Sequence, residues 1–389
     1  MKDIFCYIHI PFCSSKCKYC RFASFWNMEM IKINLYVENL IKEIKMSSYS
    51  IWDKNLKSIY FWWWTPSILS LKQLSNIINE LKNKYDFHEK IEINIEATPI
   101  TINKENLVWW KNMWINRLSI WVQSLNSNAL KEIWRWEKWD IIKSLDNIKI
   151  LLQASTLYES DQDYFNISID FIIWLPYVKK WEIKKDIEYI LDNYPFIKHI
   201  SIYMLEEYYE KWIINDEKNK TYSKFQNIVY PNDWKNIWIT EEQYLWEYLE
   251  IKLFLASRWF FSYEISNFCK VWYECKHNES YWNHSDVIAY WLWAHWFLNN
   301  IRFSNSEEFY DYYSWIKKTF EILDENDLFL EKIMFWLRTN WLDKELYEYL
   351  NINKIQEFID EWLLHKNDDL LKITDKWVLL LDYVLWEII

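Results

Sequence analysis

The sequence predicts an α/β fold: a partial (β/α)6 barrel followed by a small, mainly helical C-terminal domain. Three observations predict it. Short apolar runs alternate with amphipathic stretches through the first two-thirds of the 389 residues, giving six strand-then-helix repeats. The most unusual stretch, Trp62-Trp63-Trp64, falls just after the second run, where such barrels carry their chemistry. Past about residue 305 the pattern becomes mostly helical.

The strands are read at residues 4–10, 57–61, 90–97, 116–124, 166–173 and 198–205. Between them, residues 36–46, 71–85, 130–152 and 182–194 repeat apolar side chains at i, i+3, i+4 and i+7, the period of a helix with one buried face. From about 207 to 238 the chain turns polar, which reads as a long loop. A helix over 241–257 and an apolar run over 260–268 follow. The organisation expected is a barrel over 1–235, an extension over 236–305 and a helical or winged-helix-like domain over 306–389.

Composition raises a separate question. Average usage of about 7% predicts roughly 27 glycines in a chain of this length; there are none, against 30 tryptophans. Turns and helix ends need positive φ, which glycine adopts without strain and an indole-bearing residue does not. Most tryptophan positions are therefore read as glycine in the organism's own protein, through a reassigned stop codon. A truly tryptophan-rich chain is the rival reading. The Lys, Asn and Ile abundance suits an AT-rich genome, in which such reassignment is at home.

The net charge of −11 argues against a general nucleic-acid binder. Met1-Lys2-Asp3 leads straight into a strand-like run with no signal-peptide pattern, and no run approaches the ~18–20 apolar residues of a membrane span. Six cysteines in such a chain point to metal or redox chemistry in the cytoplasm, not to a disulfide framework.

The strongest motif is YIHIPFCSSKCKYC, which spaces Cys13, Cys17 and Cys20 as C-x3-C-x2-C after the first strand. Three thiolates on one tight loop can each hold one iron of a cubane [4Fe–4S] cluster and leave the fourth iron open. A structural zinc site is the alternative, although zinc usually takes a fourth Cys or His. Cys6, Cys269 and Cys275 read as ordinary core or surface residues.

This motif, with Tyr19 before its last cysteine, resembles that of the radical S-adenosylmethionine (SAM) enzymes. With glycine for tryptophan, IYFWWWTPS, RLSIWVQSLN, FIIWLP and YWLWAHWF become similar to segments of the oxygen-independent coproporphyrinogen oxidase family, especially its HemW-type branch of haem chaperones. The likeness runs from about residue 4 to 300. It implies a radical SAM barrel whose open iron chelates SAM. It also implies that Trp63, Trp64 and Thr65 form a glycine-rich turn beside the methionine end of SAM, which three true indoles would fill. Tyr7 and Tyr19 match positions flanking the cluster and the adenine. Glu96, Gln123, Arg135 (expected at the next helix start) and Asp170 match the rest of the cofactor site, with Thr98 a mild departure from the family's Asn or Asp. Alone, each strand-end carboxylate is as readily a loop cap.

True oxidases of this family carry a further cysteine two residues after the third ligand, where this chain has Phe22. Residues 277–282, HNESYW, are similar to the HNxxYW motif of the chaperone branch, whose histidine is associated with haem. The resemblance thus implies His277 as a haem ligand, with Trp282 a genuine tryptophan; His284 and His295 are not read as ligands. It implies a protein that binds haem and hands it to haem-accepting proteins, with transient contact to membrane respiratory proteins. Coproporphyrinogen III oxidation is the runner-up, and a degenerate scaffold without catalysis is what literal tryptophans would favour. Peptide mass spectrometry of the protein from its own host should give glycine masses at residues 62–64 and tryptophan at 282. Tryptophan masses throughout would leave the cofactor turn blocked.

Overall fold

The computed structural model describes residues 2–13, 15–20, 25–26, 28–47, 54–62, 65–135, 137–154, 164–205, 241–306, 308–314, 317–339, 342–375 and 380–389. The polar stretch read as a long loop and the positions of Phe22, Trp63 and Trp64 lie outside them.

Six parallel strands form the barrel wall in sequence order: β1 (Lys2–His9), β2 (Lys54–Trp62), β3 (Asp86–Ala97), β4 (Arg117–Gln123), β5 (Asn166–Ile173) and β6 (Ile197–Met204). Helices α1 (Met30–Met46), α2 (Leu71–Lys84), α3 (Lys104–Asn112), α4 (Ser127–Glu132), α5 (Lys138–Ala154) and α6 (Glu182–Asn193) connect them. The expected barrel is the observed one. Two readings change. The stretch read as one helix over 130–152 is two, α4 and α5, broken at Trp134 (φ 58°). Helix α3 was not foreseen, because its nine residues bury only Leu107 and Trp110.

After α7 (Glu241–Ser257), the sheet gains antiparallel strands at both ends. β7 (Phe261–Ser262) and β8 (Asn267–Cys269) extend it beyond β6. On the other side, α8 (Lys276–Trp282) leads into β9 (Val287–Tyr290), which pairs parallel with β1. Strands β10 (His295–Leu298), β11 (Ile301–Asn305) and, after α9 (Phe309–Tyr313), β12 (Lys317–Ile322) then fold outward as an antiparallel wing. The remainder packs a second apolar core from α10 (Glu325–Thr339), β13 (Leu342–Asp343), α11 (Lys344–Tyr347), α12 (Ile352–Asp360), β14 (Leu364–Asn367), β15 (Leu370–Ile373) and α13 (Leu381–Ile388). Its helix–strand–helix–helix–strand–strand order and β13-β15-β14 sheet form a winged-helix arrangement.

Alternation along parallel strands sends every second side chain into the lumen. In this chain those positions are polar: Ser58, Glu92, Asn94, Glu96, Arg117, Ser119, Ser168, Asp170, His199 and Ser201 are all buried. At the barrel base, Arg117 pairs with Glu92 at 3.2 Å and donates to the carbonyls of Tyr273 and Glu274. The backbone N–H of His277 also reaches Glu92, so the start of α8 closes the base.

The backbone also bears on the missing glycines. Of fifteen described residues with positive φ, nine are tryptophan: 114, 134, 174, 181, 259, 272, 291, 293 and 362. Four of these follow helices in one pattern. Trp114, Trp134, Trp259 and Trp362 donate three residues back, while the next residue donates five back, as in Ile115 N–H to Trp110 O and Phe260 N–H to Leu255 O. That is the Schellman helix end, whose left-handed residue is usually glycine. At Trp291 (φ 98°) the ring centroid lies 3.3 Å from that of Tyr36, closer than the ~4.5–7 Å of ordinary aromatic pairs. These are the positions the glycine reading requires. Restoring glycine at 114, 134, 259 and 362 should raise unfolding stability by about 1 kcal/mol per site, through relief of left-handed strain; urea titration of the two chains measures it.

Candidate functional site

The barrel mouth is built on the loop after β1. Phe12–Cys13 bridges to Phe25–Trp26, and Cys20 N–H donates to Cys17 O at 3.0 Å, which tightens the loop. Cys13, Cys17 and Cys20 are buried in one cluster with Tyr19 packed against it. Lys18 N–H donates to Ile133 O, pinning the loop to the turn after α4. From the same turn, Arg135 donates to the Tyr19 hydroxyl through Nε and Nη2, at 3.1 and 2.7 Å, and lies over the Trp121 ring. It stands in the turn between α4 and α5, not at a helix start. Thr65 Oγ1 is 3.3 Å from Cys13 Sγ.

This donor set suits a cluster. Among the described residues, no three His, Cys, Asp or Glu side chains converge as ligands of one metal ion must. A [4Fe–4S] cluster takes each thiolate on a different iron, so its cysteines need not share one point. Burial pushes the Cys17 thiol up to about 11, against the pull of Arg135, so iron binding is what would hold it as thiolate.

Beside the cysteines, successive strand ends supply the polar groups expected from the sequence. Tyr60 donates to Glu96 Oε1 at 3.2 Å, and Ser119 donates to Asp170 at 3.3 Å. Tyr7 and His9 join at 2.7 Å between the hydroxyl and Nδ1. Among the described residues, the buried atoms without a partner include Glu96 Oε2, Gln123 Oε1 and Arg135 Nη1, as well as Asn94 Oδ1. Buried polar atoms are ordinarily satisfied, so unpaired ones gathered at strand ends mark a place for a polar ligand. Gln123 is further held at φ 66° after a β-bulge, a strained conformation typical of ligand sites. The residues present therefore fit SAM. Burial first, and then Asp170, holds the Glu96 carboxyl well above the usual range; burial brings Asp170 to about 7.

Sequence reasoning missed His9, Tyr60, Asn94 and Ser119 as lumen neighbours. Period-two alternation could have found two of them, each two residues from a recognised position: His9 from Tyr7 and Asn94 from Glu96.

The structure does not bring His277 to this mouth. It is fully buried on α8, with Nδ1 2.7 Å from Ser58 Oγ and Nε2 3.1 Å from the Tyr281 hydroxyl. Both ring nitrogens are engaged inside the chain, and burial lowers its pKa to about 3. An iron at either nitrogen would have to displace Ser58 or Tyr281. Trp282, on the same helix, meets Phe335 of α10 at 6.0 Å, so this motif ties the barrel to the C-terminal unit. His284 pairs with Glu331 and stacks on Phe297. Cys275 donates to Glu92, and Cys6 and Cys269 are buried. Among the described residues, no helix is long and apolar enough to cross a membrane.

Comparison with known proteins bears on the family and the fold. Residues 7–190 match the radical SAM superfamily. The chain is 30% identical over 294 residues to the heme chaperone HemW of Buchnera aphidicola subsp. Acyrthosiphon pisum, covering 74% of this chain and 69% of that protein. It is 28% identical to the protein of the same name from subsp. Schizaphis graminum, covering 97% and 96%. The solved coproporphyrinogen III oxidase HemN of Escherichia coli, described as a radical SAM enzyme, shares the fold at a TM-score of 0.79 and 16% identity, over 99% of this chain and 89% of that one.

One consequence is electrostatic. Because burial raises the folded pKa of Asp170 to about 7, above the unfolded value of ~3.9, the folded state holds the extra proton between them. Its contribution is present below pH ~4 and lost as pH rises to about 7. In protein without added SAM, Asp170→Asn should flatten that decline and raise stability above pH 7, on the order of a few kcal/mol. Urea midpoints across pH 4–8 measure it.

Proposed function

Since the chain belongs to the HemW family of the radical SAM superfamily, we propose that it is a haem chaperone: it holds a [4Fe–4S] cluster and SAM at the barrel mouth, binds haem as cargo, and delivers it to haem proteins such as respiratory enzymes. The observation that carries the cofactor reading is the meeting of three buried cysteines with unpaired buried atoms of Glu96, Gln123 and Arg135.

Each residue has work of its own in this reading. Cys13, Cys17 and Cys20 hold the cluster and leave one iron open. Arg135 sets a fixed positive charge beside the cysteine loop and Tyr19, which offsets the negative charge of thiolate-bound iron. Glu96 and Gln123 offer buried oxygens to the amino and hydroxyl groups of SAM, while Tyr7 and Tyr19 wall the pocket. Asp170 ionises more readily once a cationic ligand lies near, because an opposite charge favours the carboxylate. Thr65 follows the turn that takes the methionine end; Trp63 and Trp64 serve it as glycines. When bound together, cluster and SAM supply one-electron chemistry.

Delivery, not porphyrinogen oxidation, is favoured by Phe22 standing where the oxidases carry a cysteine. The acceptors include membrane respiratory proteins, met transiently from the cytoplasm. Anaerobically reconstituted protein should bind hemin stably and leave coproporphyrinogen III unconverted, with Cys17→Ala and Cys20→Ala losing the cluster's absorption. Turnover of coproporphyrinogen III without stable hemin binding would establish the oxidase instead.

A further inference from the structure

The short helix α8 is held at its start from outside. Its N-cap residue, Cys275, makes no capping bond to the helix. Glu92 of β3 stands in for it, accepting from Cys275 Sγ at 3.4 Å and from the N–H groups of Lys276 and His277, each at 3.3 Å. Ser58 of β2 is level with Glu92 in the parallel pair, so both side chains enter the lumen at one height. Neighbouring strands therefore grip residue 277 twice. Glu92 takes its backbone amide, and Ser58 meets its ring at 2.7 Å.

The two ring nitrogens are held unequally. Ser58 is fully buried on a central strand and its side chain is one carbon long, so the sheet itself fixes its hydroxyl. Tyr281 is half-buried one helical turn beyond His277, and its hydroxyl reaches Nε2 at 3.1 Å from the end of a long side chain. The Tyr60 ring lies against the imidazole, 5.1 Å between centroids. A neutral imidazole carries one proton, and burial keeps this ring neutral. With that proton on Nδ1, the ring donates to Ser58 Oγ and Nε2 accepts from the Tyr281 hydroxyl. Nε2 then keeps the lone pair an iron takes, behind the partner better able to move. Histidines that ligate metals give their second N–H to a fixed acceptor in this way.

We infer that Ser58 is the positioning residue for the imidazole that ligates the haem cargo: it fixes Nδ1 of His277 and presents Nε2, while the Tyr281 hydroxyl holds the iron's place until haem displaces it. The inference rests on the haem-chaperone reading, with His277 of HNESYW as the ligand. His199 carries the same pattern, with Ser168 at Nδ1 and Tyr263 at Nε2, at 2.7 and 2.8 Å. There, however, the Tyr263 hydroxyl also accepts from Asn278, which ties it on both sides. Ser168 therefore supplies a matched control, the same bond on a different buried histidine.

The test uses the full-length protein and hemin, with circular dichroism as a check on folding. Titration gives the affinity, resonance Raman of the reduced form gives the iron–imidazole stretch, and spectroelectrochemistry gives the haem potential. Ser58→Ala should weaken hemin binding about tenfold. It should also lower the iron–imidazole stretch and raise the potential, because an imidazole without its acceptor is a poorer donor to iron. Ser58→Thr should restore all three, and Ser168→Ala should leave them as in the wild type. Tyr281→Phe should tighten hemin binding about three- to tenfold, since loading no longer breaks a hydrogen bond. Wild-type values in Ser58→Ala, or the same shifts in Ser168→Ala, overturn the role of Ser58. Hemin binding no tighter in Tyr281→Phe overturns that of Tyr281. An imidazole signature that persists in His277→Ala overturns the whole assignment and leaves the chaperone reading standing. A wild-type protein that binds no hemin overturns the chaperone reading, and this assignment with it.

Discussion

Every feature of this protein turns on one constraint: a parallel barrel buries its lumen, and polar side chains placed there must find partners. The chain meets the constraint differently at its two ends, although Asn166 Oδ1, beside Arg117, also lacks a partner among the described residues. At the base, Arg117, Glu92, His277, Ser58 and Tyr281 satisfy one another through side chains and backbone. At the mouth, Glu96, Gln123 and Arg135 each keep an unpaired buried atom. A closed network specifies structure, whereas an open one awaits a ligand. The asymmetry explains why chemistry gathers at the strand C-termini although polar residues line the whole lumen.

The same constraint acts on His277, which holds Ser58 with one ring nitrogen and Tyr281 with the other, within the network that closes the barrel. Its neighbours would lose their partners with it, and a buried hydroxyl left unpaired costs about 1–3 kcal/mol. His277 and Tyr281 face the lumen, and Trp282 faces Phe335 on the C-terminal unit. One short helix thus couples the barrel base to the winged-helix arrangement behind it.

Much of this was legible in the residues themselves. The six barrel strands follow from runs whose alternation is unbroken; residues 166–173 match β5 end to end. The cysteine loop follows from its spacing. What escaped was decided by geometry that spacing does not encode. The break between α4 and α5 comes from a single left-handed residue at 134, hidden because the position reads as an indole. The small helix α3 is mostly exposed and carries little periodicity. The wing strands β9 to β12 are short and pair in an order that only the folded sheet reveals.

The mouth carries a further electrostatic requirement. Glu96 and Asp170 are two carboxyls in one buried lumen, each raised above its ordinary value first by burial, and the Asp170 charge further disfavours ionisation of Glu96. Arg135 lies near both, yet it is already bonded to Tyr19 and set beside the cysteines. One fixed cation cannot fully neutralise a thiolate-bound cluster and two carboxylates together. A ligand bearing its own positive charges resolves that imbalance by entering. The lumen therefore favours a guest that carries positive charge.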